Sequence, residues 1–270
     1  MVLNNPRETL ALNSILEKII VNKRLEIEEL KIEWPLQSLK ERFPDRPNGL
    51  FRKAVENRSG VNIIAEIKKG SPSKGILLAD FDPVSLANQY RNGGAAALSV
   101  LTERKHFFGR VEYLELARHE SGLPVLCKDF FIDPFQLHYA RAMHADAVLL
   151  IVRLLTIESL CDYLRLADEI GLDCLVEVHD ENELEIALDA GAEIIGVNNR
   201  NLEDFSVTLE TSERLGKLMP KDVIRVAESG IFKVEDIVRL QKAGYNNFLI
   251  GEALVKAKVP AALIRSLRNG

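Results

Sequence analysis

From about Val61 onward, one pattern repeats eight times along the chain: a short β-rich apolar run, a turn, and a segment with helical periodicity. This alternation is typical of βα units on a parallel sheet. The predicted strands are VNIIAEIK (61–68), AAALSVL (95–101), LPVLCK (123–128), DAVLLIV (146–152), DCLVEV (173–178), AEIIGVN (192–198), VIRVAES (223–229) and NNFLIG (246–251). Intervening segments such as VEDIVRLQKAG end in glycine, as helices often do.

Eight strands that are each followed by a helix close naturally as a (β/α)8 or TIM barrel, whose active site lies at the carboxyl ends of the strands. The chain has 270 residues, and such barrels take roughly 250. A doubly wound open sheet is the alternative, but no G-x-G-x-x-G follows the first predicted strand. We therefore predict an α/β fold with the barrel over residues 61–270.

Residues 1–60 follow a different pattern, with a long helical segment, ETLALNSILEKIIVNKRLEIEELK, before two shorter ones, SLKERF and GLFRKAVEN. Apolar residues of the long segment recur at helical spacing: Leu12, Ile15, Leu16 and Ile19. Such a stripe needs a surface to cover. We therefore expect an N-terminal helical extension that packs on the barrel rather than a flexible tail.

Composition and charge exclude several classes of protein. The longest purely apolar run, Ala147–Val152, is far shorter than the roughly 18 residues of a membrane span. A net charge of -5 without a basic block gives no electrostatic footprint for nucleic acid. The opening MVLNNPRETLALN lacks the features of a secretory signal, so we expect a cytoplasmic protein.

Neither the cysteines nor the histidines show the spacing of a metal site. Three cysteines without a CxxC pair also argue against a disulfide framework, and we expect buried free thiols. We expect the histidines to be structural or exposed. These residues are Cys127, Cys161, Cys174, His106, His119, His138, His144 and His179.

The segment IIAEIKKGSPSKG (63–75) places charge directly against an apolar strand. It is not a phosphate-binding P-loop, because Ile76 and Leu77 stand where that motif needs Lys and then Ser or Thr. Side chains alternate along a strand, so an outward apolar face directs Glu66 and Lys68 into the barrel. A Glu–Lys pair that merely closes the barrel is the competing interpretation.

Polar residues recur at the ends of other predicted strands: Lys128 and Asp129, Glu177, and Asn198 with Arg200 just beyond. Asp133 and Asp180 are better explained as helix N-caps. Small residues in VAESGI and FLIGEAL predict a phosphate cup after the last two strands, formed by Ser229, Gly230 and Gly251.

An aromatic loop, TERKHFFG, follows the second predicted strand and carries Phe107 and Phe108. Either ring could line the mouth of the site, or it could pack against the helix layer. Further apolar lining is expected from Phe130, Leu149 and Leu101.

Together, IIAEIKKGSPSKG, LPVLCKDF, LVEVHDE, GVNNRNL, VAESGI and LIGEAL resemble the site motifs of the indole-3-glycerol phosphate synthase family. The resemblance covers essentially the whole chain. It implies a lyase of tryptophan biosynthesis that needs no cofactor or metal. The implied substrate is 1-(2-carboxyphenylamino)-1-deoxyribulose 5-phosphate, which closes to indole-3-glycerol phosphate with loss of CO₂ and water.

The resemblance also implies residue roles. Lys128 would be the general acid at the C2 carbonyl oxygen, and Glu177 the general base in the dehydration. Lys68 would hold the anthranilate carboxylate or the phosphate side and serve as a second proton donor, while Glu66 would position the lysines and substrate hydroxyls. The remaining implied substrate contacts are Asn198 and Arg200 for orientation, and Ser71, Ser229, Gly230, Gly251 and the Glu252 backbone N–H near the phosphate.

Two questions stay open from the residues alone. Lys68 would lower the pKa of Lys128, whereas Glu66 and Glu177 would raise it.

Alternative functions are another phosphate-binding barrel, such as phosphoribosylanthranilate isomerase or the tryptophan synthase α subunit, and a noncatalytic sugar-phosphate-binding barrel. The E-x-K strand together with the lysine that ends the third strand favours the synthase. Its expected partner is a small phosphorylated substrate, with neither nucleic acid nor membrane, and we expect a monomer or weak homo-oligomer.

Overall fold

Eight parallel strands form a closed barrel in the computed structural model, which describes residues 15–57, 60–201 and 205–269. The barrel strands are Asn62–Ile67, Ala97–Leu101, Val125–Lys128, Ala147–Ile151, Asp173–Val178, Ile194–Asn198, Ile224–Glu228 and Asn247–Ile250. Closure is direct, because the first strand pairs with both the second and the eighth. The predicted fold class is confirmed.

Helices follow the barrel strands and surround the sheet. They span Pro83–Gly93, Glu112–Ser121, Phe135–Ala142, Ile157–Glu169, Glu181–Asp189, Glu210–Gly216, Val234–Gln241, Glu252–Lys256 and Pro260–Asn269. A single 3-10 turn, Val152–Leu154, follows the fourth strand, and a small hairpin pairs Gly70–Ser71 with Gly75–Ile76 after the first. Gly94 ends the first of these helices in the left-handed conformation, as expected for a C-terminal glycine.

Alternation along the first strand sorts its side chains into two apolar clusters. Ile63, Ala65 and Ile67 belong to the outer cluster, which the surrounding helices share. Ile64 belongs to the inner cluster that fills the barrel. Glu66 therefore points inward on the same face as Ile64, one pleat closer to the carboxyl end.

Three further helices, Ile15–Glu33, Leu36–Lys40 and Leu50–Val55, precede the first strand. The last of them lies at the amino end of the barrel, where Phe51 is fully buried and Arg52 N donates to Asp173 at the start of the fifth strand. The first helix approaches the opposite end, where Lys23 Nζ lies 2.8 Å from Asp129 Oδ1. Of the predicted apolar stripe, Ile19 is buried, whereas Leu12 lies outside the described residues.

The cysteine prediction is wrong for one thiol. Cys127 is buried and Cys174 half-buried, but Cys161 is exposed. Its helix turns Leu160, Tyr163 and Ala167 toward the barrel, and the neighbouring position faces solvent. Within residues 15–57, 60–201 and 205–269, no helix is long and apolar enough to cross a membrane, and no cluster of three potential metal ligands occurs.

Candidate active site

A cavity of about 150 Å³ opens at the carboxyl ends of the strands. Of the residues predicted for the site, all but Phe108 line it. The predicted residues that line the cavity are Glu66, Lys68, Ser71, Leu101, Phe107, Lys128, Phe130, Leu149, Glu177, Asn198, Arg200, Ser229, Gly230, Gly251 and Glu252. The strand ends therefore bring together residues from distant parts of the sequence.

Glu66 bridges two ammonium groups inside this cavity. Its Oε2 lies 2.5 Å from Lys68 Nζ, and its Oε1 lies 3.8 Å from Lys128 Nζ. Burial would raise the pKa of Glu66, but the two lysines lower it below its ordinary value. Gly251 makes room for this arrangement, because a Cβ there would collide with the Glu66 carboxylate.

A third carboxylate, Glu228, was not predicted for the site. It ends the seventh strand, is fully buried, and its Oε2 lies 2.6 Å from Lys128 Nζ. Its other oxygen has no hydrogen-bond partner among the described residues and faces Gly196, where any Cβ would collide with it. The sequence did carry a signal, since Glu228 is an acid in the last position of a barrel strand, in register with Asn198.

The carboxylates decide the protonation state of Lys128. Burial would lower the pKa of this lysine, but Glu228, Glu66 and Glu177 together raise it above its ordinary value. The pKa of Glu228 itself is raised above its ordinary value. Burial, with repulsion from Glu177 and Glu66, outweighs the attraction to Lys128. The acids therefore outweigh any effect of Lys68 on the pKa of Lys128. Lys128 therefore carries a positive charge at neutral pH.

Glu177 lies near the end of the fifth strand and is almost completely buried. The amide of Asn198 donates a hydrogen bond to it, while Asn198 Oδ1 accepts one from Arg200 N at 3.0 Å and so fixes the amide. Burial would raise the pKa of Glu177, but His179, Lys128 and Asn198 lower it to about 2. These neighbours therefore favour the ionised form of Glu177.

His179 was expected to be structural or exposed, and the structure buries it between Glu177 and Glu183. Its side chain is 6% exposed, with Nε2 3.3 Å from Glu177 Oε1 and Nδ1 2.9 Å from Glu183 Oε2. The sequence signal is the spacing of His179 and Glu183, which brings them together across the start of a helix. Asp180 is the N-cap of that helix, as predicted, and its side chain accepts from Glu183 N.

The side of the cavity predicted to hold phosphate carries mixed charge. Glu252 Oε1 pairs with Lys74 and Lys256, and Arg200 Nη2 lies 3.8 Å from its other oxygen. Burial would raise the pKa of Glu252, but Lys256 and Lys74 lower it to about 2. The three cations therefore offset its charge.

The loop after the seventh strand turns sharply at the same side of the cavity. Ser229 and Gly230 both have positive φ, 65° and 78°. A Cβ at Gly230 would lie 2.7 Å from the side chain of Val207, so glycine is required both for conformation and for space. Asn199 Nδ2 donates to Ser229 O at 3.2 Å and holds the turn.

Of the two candidate aromatic residues, Phe107 lines the cavity and Phe108 does not. Phe107 packs beside Phe130, with ring centroids 6.0 Å apart. Phe108 adopts a φ of 58° and lies over Gly70, where an added Cβ would be 2.7 Å from its ring. The buried carboxylate of Glu103 accepts hydrogen bonds from the backbone of Lys105, His106 and Phe107 and so directs the loop, which spacing alone did not reveal.

Fold and site together define a (β/α)8-barrel enzyme with paired lysines and carboxylates at the carboxyl ends of its strands. The family model described as indole-3-glycerol phosphate synthase matches residues 16–267. The chain belongs to this family, so the predicted lyase activity in tryptophan biosynthesis is confirmed over the alternatives.

Relatives from two bacteria support this assignment. A protein named indole-3-glycerol phosphate synthase from Lachnoclostridium phytofermentans is 44% identical over 268 residues, which cover 94% of this chain and 99% of the relative. One of the same name from Chlorobium limicola is 49% identical over 244 residues, covering 88% and 93%.

Solved structures with much lower identity share the fold. A 3-hexulose-6-phosphate synthase from Salmonella typhimurium has a TM-score of 0.63 and 14% identity, covering 77% of this chain and 96% of that one. A thiamine phosphate pyrophosphorylase from Pyrococcus furiosus has a TM-score of 0.58 and 18% identity, covering 78% and 95%.

Proposed function

We propose that the side chains of this cavity catalyse closure of the indole ring by transferring protons to and from the substrate. Lys128 is the general acid and Glu177 the general base. The observation that carries the proposal is the position of the Lys128 ammonium, which contacts Glu228 and Glu66 in the cavity where Glu177 also lies. One wall therefore holds a proton donor and another a proton acceptor.

In the first step, the ring carbon that bears the carboxylate attacks the C2 carbonyl carbon of the sugar chain. The carbonyl oxygen gains negative charge, and Lys128 donates a proton to it. Glu228 and Glu66 keep the ammonium in place for this transfer. The carboxylate then leaves as CO₂, and the electrons of the broken C–C bond restore the aromatic ring.

Dehydration completes the reaction. The new C2 hydroxyl takes a second proton, for which Lys68 is the donor, and leaves as water. Glu177 removes the proton that must be lost for the indole double bond to form. Two protons are delivered and one is removed, so one proton is taken up overall, which balances the loss of a carboxylate as neutral CO₂.

Substrate orientation follows from the remaining walls. Phe107 and Phe130 offer an aromatic surface to the anthranilate ring, with Leu101 and Leu149 as apolar lining. We place the phosphate near Arg200 and the Ser229–Gly230 turn, where backbone N–H groups and a guanidinium can bind it.

Ser71, Gly251 and the Glu252 backbone border the same region. Lys74 and Arg200 already contact the Glu252 carboxylate, so they screen its repulsion of the substrate phosphate. Asn198, held by Arg200 N, orients the substrate beside Glu177.

The test is turnover of the carboxyphenylamino substrate, followed by indole fluorescence. We expect Lys128→Met to lower kcat by about 10² to 10⁴-fold, the usual contribution of general acid–base catalysis. Lys69→Met is the matched control, because Lys69 does not line the cavity. Unchanged turnover in Lys128→Met, with far-ultraviolet circular dichroism showing a folded chain, would overturn the proposal.

A further inference from the structure

A histidine lies between two carboxylates directly behind the proposed base. His179 Nδ1 is 2.9 Å from Glu183 Oε2, and Nε2 is 3.3 Å from Glu177 Oε1. A doubly protonated imidazole would carry its positive charge next to both carboxylates. Burial would lower the pKa of His179, but the two carboxylates raise it to about 9. The two carboxylates therefore favour the charged form of the buried ring.

Glu183 holds this ring from the side away from the cavity. Its Oε2 also accepts from His179 N at 2.8 Å, and its Oε1 accepts from Arg153 Nε at 2.8 Å. Its own backbone N–H donates to the N-cap Asp180. Because main-chain and side-chain bonds fix Glu183, the imidazole cannot turn away from Glu177 without breaking its Nδ1 contact to Glu183.

The contact on the Glu177 side is between charges rather than a well-aligned hydrogen bond, since Nε2 has no such partner among the described residues. The other groups that act on Glu177 come from three strands. Lys128 attracts its charge from the third, Asn198 donates to it from the sixth, and Glu228 repels it from the seventh. His179 is thus the second cation beside this carboxylate.

We infer that His179 is a positioning residue that keeps Glu177 ionised and correctly oriented as the base of the dehydration step. The inference rests on the proposed function, because it assigns a partner to the proposed base. Burial strongly favours a neutral carboxylic acid, and an adjacent cation opposes that tendency. Without His179, a larger share of Glu177 would be protonated in acid and unable to accept the substrate proton.

The experiment compares the pH dependence of kcat/KM for the wild-type enzyme with that for His179→Gln. The glutamine amide can reach toward Glu177 but carries no charge. We expect the acid limb to move to higher pH by roughly 1 to 3 units, the usual effect of an opposite charge at this distance. Glu183→Gln should move the limb in the same direction, because the imidazole then loses one of its two carboxylates. His138→Gln, at another buried histidine, should leave the limb in place.

An acid limb that stays in place in His179→Gln, even with a lower kcat, would reduce His179 to a structural role and overturn the inference. Imidazole NMR supplies a readout that needs no turnover. We expect His179 to stay charged to alkaline pH and its pKa to fall in Glu177→Gln. Titration of His179 at an ordinary pKa contradicts the inference alone, whereas absent turnover with a charged His179 contradicts the proposed function.

Discussion

Lys128 and Glu228 meet across the barrel, with Nζ 2.6 Å from Oε2. The strands that carry them are separated by three other strands in either direction around the sheet. Each residue is the last of its strand, the third and the seventh. The contact therefore joins opposite walls just below the cavity. It makes the position of the proposed acid depend on both halves of the molecule.

Glu228→Gln tests this dependence. The amide keeps the shape of the side chain but removes the charge that raises the pKa of Lys128. The pKa of Lys128 should therefore fall, and the basic limb of the kcat/KM profile should move to lower pH if the ammonium is the acid. Glu228→Asp, which keeps the charge, is the control. A basic limb shared by the wild type and Glu228→Gln would show that this pair does not set the protonation of the acid.

Gly196→Ala tests the space beside the same carboxylate. A Cβ at Gly196 would collide with Glu228 Oε1, so we expect a loss of about 1 to 3 kcal/mol in the free energy of unfolding, typical of overpacking. In a Glu228→Ala background the carboxylate is gone, and the cost should be much smaller. Urea denaturation of the four chains measures both costs. Equal costs in the two backgrounds would mean that Glu228 is not what excludes a side chain at Gly196.

Alternation along the strands was sufficient to predict the inward direction of Glu66 and Lys68 and the level of Lys128. The same rule applies to Glu228, which stands in the VAESGI segment among the small residues that predict a phosphate cup. The direction of Phe108 could not be obtained in this way. It depends on a positive φ and on a loop held by Glu103, and neither has a signature in hydrophobic periodicity.

Phe107→Leu and Phe108→Leu separate the two rings by function. Phe107 lines the cavity beside Phe130, so its loss should raise KM severalfold, in line with the roughly 0.5 to 1.5 kcal/mol of an aromatic pair. Phe108 lies outside the cavity lining, over Gly70, and its replacement should leave KM near the wild-type value. Steady-state kinetics decide the matter. A larger rise in KM from Phe108→Leu would contradict the assignment of Phe107 to the substrate ring.

Lys23→Met and Lys31→Met compare a buried with an exposed ion pair on the same helix. Lys23 is 3% exposed and pairs with Asp129, so its loss should cost about 3 to 5 kcal/mol in the free energy of unfolding. Lys31 is 38% exposed and pairs with Asp133, and its loss should cost at most about 1 kcal/mol. Urea unfolding measures both variants. Similar small costs would show that Asp129 finds sufficient partners without Lys23.

The two glycines that face carboxylates, Gly196 and Gly251, limit the order in which mutations can accumulate inside the barrel. An alanine at either position should cost less stability once the opposing acid, Glu228 or Glu66, has been lost. A lineage that gave up this chemistry could fill the interior by that route. Restoring the acid would then carry the cost of this collision until the methyl group was removed again, so the loss would be easier than the return.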